Sequence, residues 1–238
     1  MKETEIAIMA GGRGKRMGEL SKEQPKSLLE FQGKPILTHI LDNVIDAFGS
    51  AHATLAVGYK AESIRKMFGD RYRSIDITYV HDPRPLEIRK RLLSLQGNIT
   101  TSFIFLATDV ICDASELLKV AELQEKENEA VLGTISGATD HTPALTHALI
   151  KTEGASVVDI EFPLPDHWQP KDLRDIHVAC YRPEFIGFLN NVPDENTSVS
   201  QVIAQALKDG RDFQISKYCE EWYHFANPED LKRQIENT

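Results

Sequence analysis

Residues 10–35, AGGRGKRMGELSKEQPKSLLEFQGKP, decide how the rest of the chain is read. The apolar run before them, residues 6–9, is short and predicts a buried first strand. It feeds Ala10, Gly11, Gly12 and Gly14 into a turn whose backbone N–H groups can face an anion, since glycine reaches the backbone conformations such a nest needs. Lys15, Arg16 and Lys26 add positive charge close to that turn. Two common phosphate signatures are excluded. Lys15 is followed by Arg16 and not by the Ser or Thr of a P-loop, and Met17 stands where a dinucleotide fingerprint starting at Gly12 needs a small residue. The segment predicts a phosphate cradle of another kind.

Read together, Gly11-Gly12-x-Gly14-x-Arg16, Pro25-Lys26-x-Leu28-Leu29 and Gly33-Lys34-Pro35-Ile36 resemble the amino-terminal signature of the sugar-1-phosphate nucleotidyltransferases, of which the chain looks like a divergent member. The likeness continues more faintly through residues 57–62, 106–110 and 222–231. It implies a nucleoside triphosphate and a phosphorylated small-molecule acceptor as partners, transfer of a nucleoside monophosphate, and release of pyrophosphate. Mg²⁺ is the implied cofactor, with Mn²⁺ as the alternative. Arg16 and Lys26 take the catalytic, charge-stabilising places, and Ala10, Gly11, Gly12, Gly14 and Lys15 the nucleotide-binding ones. Asp109, in Leu106-Ala107-Thr108-Asp109-Val110, falls at the family's metal site, although Thr108 replaces the usual glycine. A helix cap is the structural alternative for Asp109, and Asp113 competes for that role.

Three stretches depart from the family's pattern. Pro85-Leu86-Glu87-Ile88-Arg89-Lys90 replaces a small-residue stretch that lets backbone approach the nucleoside, and the basic run Arg89-Lys90-Arg91 has two readings, a replacement for that nucleobase contact or, the favoured one, a solvated helix face. His224 stands where a second metal-binding aspartate is expected, and imidazole suits softer ions better than Mg²⁺. Phe162, in Glu161-Phe162-Pro163, replaces a lysine that grips the sugar phosphate, so Lys151, Lys171 or Arg174 would have to compensate. Asp82 aligns with a base-reading amide; as a pure acceptor it would favour guanine, while its other reading is a turn residue before Pro83.

Apolar runs alternate with helical spacing at residues 6–9, 36–48, 53–57, 62–68, 75–80, 103–106 and 114–125. That order predicts an α/β fold with a doubly wound, mainly parallel or mixed Rossmann-like sheet. Strands are then expected at 131–135, 148–151, 157–160 and 177–181, forming a small mixed-sheet substrate lobe, and helices at 199–207 and 229–235. One domain over 1–238 is expected, with a nucleotide-binding part at 1–128 and an acceptor-binding part at 129–238.

With 27 basic and 36 acidic residues the formal charge is −9, which opposes a nucleic-acid-binding role. The three cysteines, Cys112, Cys180 and Cys219, make no zinc pair and fit a reduced, cytoplasmic setting. No run is long and apolar enough to span a membrane, and a signal core is lacking at the start. Assembly with a second copy stays open. Two other functions are compatible with the residues: a non-catalytic relative that binds a nucleotide or nucleotide sugar, and a guanylyl- or cytidylyltransferase acting on a non-sugar phosphorylated acceptor.

Overall fold

The apolar run at residues 6–9 forms the strand Glu5–Met9, and its neighbours place every loop that matters for function. In the structure, a computed structural model, residues 5–84, 87–127, 129–139, 147–193 and 198–236 are described, with side chains as far as residue 232. Pro85 and Leu86, which open the first divergent stretch, lie outside the described residues, as does the charged start at residues 1–3.

Glu5–Met9 lies parallel to Phe103–Ala107 on one side and to Ala51–Val57 on the other, and Ile75–His81 runs parallel beyond that. Met9 pairs with both Ala56 and Ala107, so these strands end level and their loops emerge on one edge. Side chains alternate between two cores, as the period of a strand buried on both faces requires. Ile6, Ile8, Ile104 and Leu106 pack with the helices Ile36–Phe48, Ala61–Phe68 and Ala114–Lys126. Ala7, Met9, Phe103 and Phe105 face Leu92 and the helix Val199–Lys208. Each large apolar side chain buried this way contributes about 1.5–3 kcal/mol before entropy is set against it.

Beyond Phe103–Ala107 the direction reverses. Leu173–Tyr181 pairs antiparallel with it, Val131–Ala138 follows antiparallel, and Asp212–Tyr218 runs parallel to Val131–Ala138. The hairpin of Leu149–Glu153 and Ser156–Glu161 completes a ten-stranded mixed sheet, and Leu149–Glu153 also pairs with the start of Leu173–Tyr181. The register of Leu173–Tyr181 shifts between Asp175 and Ala179, where His177 has φ 57°. This break turns one strand towards two sets of partners.

The doubly wound α/β arrangement is as the pattern predicts, and the mixed-sheet strands after residue 130 continue the parallel half in one sheet. Two details differ. The strand expected at 177–181 begins at Leu173, because buried Arg174 and Asp175 interrupt the apolar alternation. The basic run at 89–91 does not form a solvated face. It lies in the short helix Ile88–Leu93, where Arg89 and Arg91 are buried and Lys90 is exposed. Arg89 donates from Nη2 to the carbonyls of Leu189 and Val192, both at 3.0 Å, and so clamps that helix to a neighbouring segment.

Candidate functional site

The phosphate loop leaves the sheet through hydrogen bonds that the strand ends dictate. Ala10 N donates to Ala56 O at 3.0 Å, and Tyr59 N to Gly11 O at 3.3 Å, so the turns after two adjacent strands are tied together. Gly14 is left-handed, with φ 66° and ψ 45°, and a Cβ there would stand 2.9 Å from that of Lys26. Glycine is thus needed twice over at position 14, for its conformation and for the lysine packed against it. Ser21 Oγ donates to Gly14 O at 2.9 Å, which holds the far side of the loop, while buried Met17 anchors it to the core. Lys15 and Arg16 remain exposed on the loop.

Lys26 and Asp109 come together across the sheet edge. Lys26 Nζ lies 3.2 Å from Asp109 Oδ2, and the two side chains keep 12% and 24% of their exposure, enough for a ligand to reach them. Burial pushes the Asp109 carboxyl up, but the Lys26 ammonium outweighs it and holds the group well below the usual carboxylate range. Thr108 Oγ1 donates to Met9 O at 3.1 Å and Phe225 N donates to Asp109 O at 2.8 Å, so the backbone on each side of the carboxylate is fixed. Asp113, and not Asp109, caps the following helix: its Oδ1 accepts from Ser115 N at 2.9 Å and Glu116 N at 3.3 Å. Asp109 is thereby left for a ligand.

Asp109 Oδ1 is buried and has no hydrogen-bond partner among the described residues. A divalent cation at this oxygen would satisfy it, and Mg²⁺ accepts one carboxylate together with phosphate oxygens. His224 pairs with Val110 in a two-residue ladder and is buried. Burial pushes its pKa down to about 4, so its ring is neutral at pH 7 and could offer a lone pair to a softer ion. His147, fully buried, packs against it at 4.4 Å between centroids, with burial pushing its own pKa to about 2. No group of three or more His, Cys, Asp or Glu among the described residues is placed to hold a metal ion. The donor set therefore fits one hard ion on Asp109 better than an all-protein transition-metal centre.

Two cavities open on this edge and share Arg16, Ile88, Ala107 and Asp109. One, of about 300 Å³, is lined by Gly12, Gly14, Lys15, Lys26, Arg91 and Thr108 in addition. The other, of about 310 Å³, adds Glu87, Phe105, Phe162, His177, Ser198 and Val199. Ser198 is also the cap of the Val199–Lys208 helix, its Oγ accepting from Gln201 N at 3.1 Å while Gln201 Oε1 accepts from Ser198 N at 3.1 Å.

The structure thus gathers Gly12, Gly14, Lys15, Arg16, Lys26 and Asp109, with Ala10 and Gly11 just behind them. Asp82 stands apart. Its carboxylate accepts from Arg84 Nη2 at 2.5 Å and from Arg84 N at 3.0 Å, an Asx turn closed by an ion pair, and it lines neither cavity. Hydrogen bonding from Arg84 holds its pKa down at about 2. None of Lys151, Lys171 and Arg174 lines either cavity. Lys151 is bridged to Asp159 and Glu161, and Arg174 is buried 5.0 Å from the Trp168 ring. Sequence reasoning missed His177, Phe105 and Ser198 as lining residues, and set Arg91 second to a solvated-face reading although it lines the loop-side cavity. A capping box at Ser198 and Gln201 was a readable sign for Ser198; the rest carry no local signature.

Comparison with known proteins agrees with this geometry. Over 111 residues the chain is 34% identical to the UTP–glucose-1-phosphate uridylyltransferase AglF of Haloferax volcanii, covering 47% of this chain and 45% of the relative. Over 116 residues it is 35% identical to the mannose-1-phosphate guanylyltransferase catalytic subunit beta of Drosophila pseudoobscura pseudoobscura, covering 46% and 31%. The chain thus spans less than half the length of either relative. The solved structure of a UDP-glucose pyrophosphorylase complexed with UDP-glucose superposes with a TM-score of 0.85 over 99% of this chain and 98% of that one; at 15% identity this shows a shared fold. A sequence profile described as Nucleotidyl transferase matches residues 6–222, and the chain belongs to that family.

Proposed function

We propose that the protein transfers a nucleoside monophosphate from a nucleoside triphosphate to a phosphorylated small molecule, a sugar 1-phosphate or a chemically related acceptor, and releases pyrophosphate. The observation that carries this reading is the junction of two cavities at Arg16 and Asp109, one lined by the phosphate loop and one not. Two anions held on either side of that junction can meet in line. An oxygen of the acceptor phosphate attacks the α-phosphorus, the bond from that phosphorus to the bridging oxygen breaks, and pyrophosphate carries the electron pair away. No covalent enzyme intermediate is needed. Arg16, Lys26 and the loop amides position the mutually repelling groups and neutralise charge moving onto the leaving group.

Asp109 would hold a divalent cation, for which Mg²⁺ is the best fit. When bound, such an ion neutralises phosphate charge and acts as a Lewis acid. The neighbouring Lys26 keeps Asp109 ionised at every working pH. Among the described residues lining the acceptor cavity, Arg16 is the one Arg or Lys, beside the carboxylates of Glu87 and Asp109 and the rings of Phe105 and Phe162. This composition supports an acceptor whose body, outside its phosphate, is uncharged or cationic. Free Cys112, Cys180 and Cys219 support a reducing, cytoplasmic setting, where triphosphates are abundant. Among the described residues no helix is long and apolar enough to cross a membrane.

The test is pyrophosphate release by purified protein with Mg²⁺ or Mn²⁺, crossing the common nucleoside triphosphates with sugar 1-phosphates and amino-alcohol phosphates. Release that depends on an acceptor and disappears in Asp109→Ala supports the transferase. Triphosphate binding without release in any pair would favour a nucleotide-binding role without catalysis.

A further inference from the structure

The relatives named above use different bases, uridine in one and guanosine in the other, at nearly equal identity. Overall likeness therefore does not set the base, and local residues must. The strand order says where to look. Asp109 follows the strand on one side of Glu5–Met9, whereas Gly58 and Asp82 follow the strands on the other side. A triphosphate with its phosphates between the glycine loop and Asp109 would extend its nucleoside towards Gly11 and Gly58.

Arg91 occupies that end. Its guanidinium lies flat in a notch that only two glycines can form. A Cβ on Gly11 would stand 2.1 Å from Arg91 Nη1, and one on Gly58 would stand 3.0 Å from Nη2 and 2.8 Å from Asp82 O. Nη1 donates to Val57 O at 3.1 Å and Nη2 to Arg84 O at 3.4 Å, so backbone carbonyls hold the plane in place. Arg91 is 3% exposed, and the nearby carboxylate of Asp82 is committed to Arg84. Burying a guanidinium on backbone carbonyls, with its nearest carboxylate already bridged to Arg84, is costly, which argues for a use beyond packing. Two of its five N–H donors are taken, and the residue lines the cavity that holds Lys15, Arg16, Lys26 and Asp109.

We propose that Arg91 reads the nucleobase, selecting a triphosphate whose base presents two neighbouring hydrogen-bond acceptors, as guanine does with O6 and N7 and cytosine with N3 and O2. A planar donor pair matches such an edge in the way arginine matches guanine elsewhere. Uracil and thymine place N3–H between their two carbonyls, and adenine sets its amino group beside both N1 and N7, so on these edges all three meet a donor with a donor. The inference rests on the reading that the loop-side cavity takes the triphosphate. It moves base recognition away from Asp82, whose oxygens serve the turn.

Calorimetric binding of GTP, CTP, UTP, dTTP, ATP and inorganic tripolyphosphate, each with Mg²⁺, to the wild type, Arg91→Met and Arg91→Lys tests it. The wild type is expected to bind GTP or CTP at least about tenfold more tightly than UTP, dTTP and ATP, the discrimination one paired donor edge supplies. In both variants that ratio falls to within about twofold, because neither side chain offers two parallel donors, while Arg91→Lys, which keeps the charge, holds tripolyphosphate affinity within about twofold of the wild type. Arg91→Lys keeps the charge and stands in should Arg91→Met fail to fold, and thermal melts confirm which variants are native. Equal wild-type affinities, a preference for UTP, dTTP or ATP, a ratio that survives in a folded variant, or tighter binding of every triphosphate to Arg91→Met would each overturn the proposal. Base-indifferent binding removes this inference alone. Failure of tripolyphosphate and every triphosphate to bind removes the functional reading with it.

Discussion

The two parallel strands beside the glycine loop carry their polar groups beyond their ends, whereas the antiparallel half buries several within it; Ala51–Val57, with buried Thr54, is the exception on the parallel side. Glu5–Met9 and Phe103–Ala107 bury apolar side chains throughout, apart from the partly exposed Glu5, and their chemistry begins at Ala10 and Thr108. In the other half Arg174, Asp175, Ser136, Ser216 and His147 are all buried, and Asp175 Oδ2 accepts from Ser200 Oγ at 2.8 Å across the layer. His177 reaches the acceptor cavity from the middle of a strand, at the register break. On the proposed reading, a regular sheet presents the phosphate cradle on its edge, while the second cavity draws His177 from a distorted strand, Phe105 and Ala107 from a regular one, and the rest from helix starts and loops.

Substitutions can break this contrast, and the largest effects are expected in the cradle. Asp109→Ala removes the one carboxylate at the junction and should lower turnover by at least ~10³-fold with the fold intact, measured as acceptor-dependent pyrophosphate release beside a circular-dichroism melt. Arg16→Ala should cost ~10²–10³-fold in the same assay, chiefly in kcat, and a loss confined to KM would show that the arginine only binds.

Next come two glycines, one from each half, with opposite surroundings. A Cβ on Gly133 would stand 2.4 Å from Tyr181 Cδ1 and 3.1 Å from Cys180 O, so Gly133→Ala should destabilise by about 1–3 kcal/mol. A Cβ on Gly12 meets nothing within 4 Å, so Gly12→Ala should unfold within about 0.5 kcal/mol of the wild type in urea yet bind triphosphate less tightly, since the methyl group stands where phosphate approaches. Equal destabilisation by the two would erase the distinction between the halves.

The buried histidine of the antiparallel half sets a pH dependence. Burial holds the folded pKa of His147 near 2, well under its ordinary value of 6.5. The unfolded chain therefore takes up a proton that the folded one refuses. Stability from this group is fully present above pH 6.5 and falls as the pH drops from there towards 2, by up to about 1.4 kcal/mol per unit. Urea titrations at pH 7.5, 6 and 5 should show a shallower loss in His147→Phe than in the wild type, and parallel lines would refute the assignment. The smallest effect concerns the acceptor wall. Phe162→Lys places a cation on it and should lower KM for a sugar 1-phosphate by roughly threefold with little change in kcat, as the gain from one partly exposed charge pair allows.

The contrast also explains what could be read in the chain before its structure. Ile6 to Met9 followed by three glycines, and the spaced Arg16 and Lys26, report a buried parallel strand and its edge loop because each acts locally. Asp109 was legible for the same reason, and Asp113 resolved the competing cap. The antiparallel half was blurred where polar residues are buried: Arg174 and Asp175 hid four residues of their strand, and no periodicity marks a histidine held at positive φ. For Arg89 and Arg91 the surface reading was favoured over a part in base recognition because their partners are backbone carbonyls of Leu189 and Val57, distant in sequence and silent in composition.

The hydrogen bond from Phe225 N to Asp109 O, with the Tyr223–His224 ladder beside it, has a consequence in time. During synthesis the glycine loop, Lys26 and Asp109 leave the ribosome well before the segment that braces them, since chains emerge from their amino ends. A nascent protein therefore displays its charged cradle without the backbone clamp on the carboxylate, and the site becomes whole only when residues 223–225 dock. Translation order itself leaves the bracing of Asp109 until nearly all of this fold has been made.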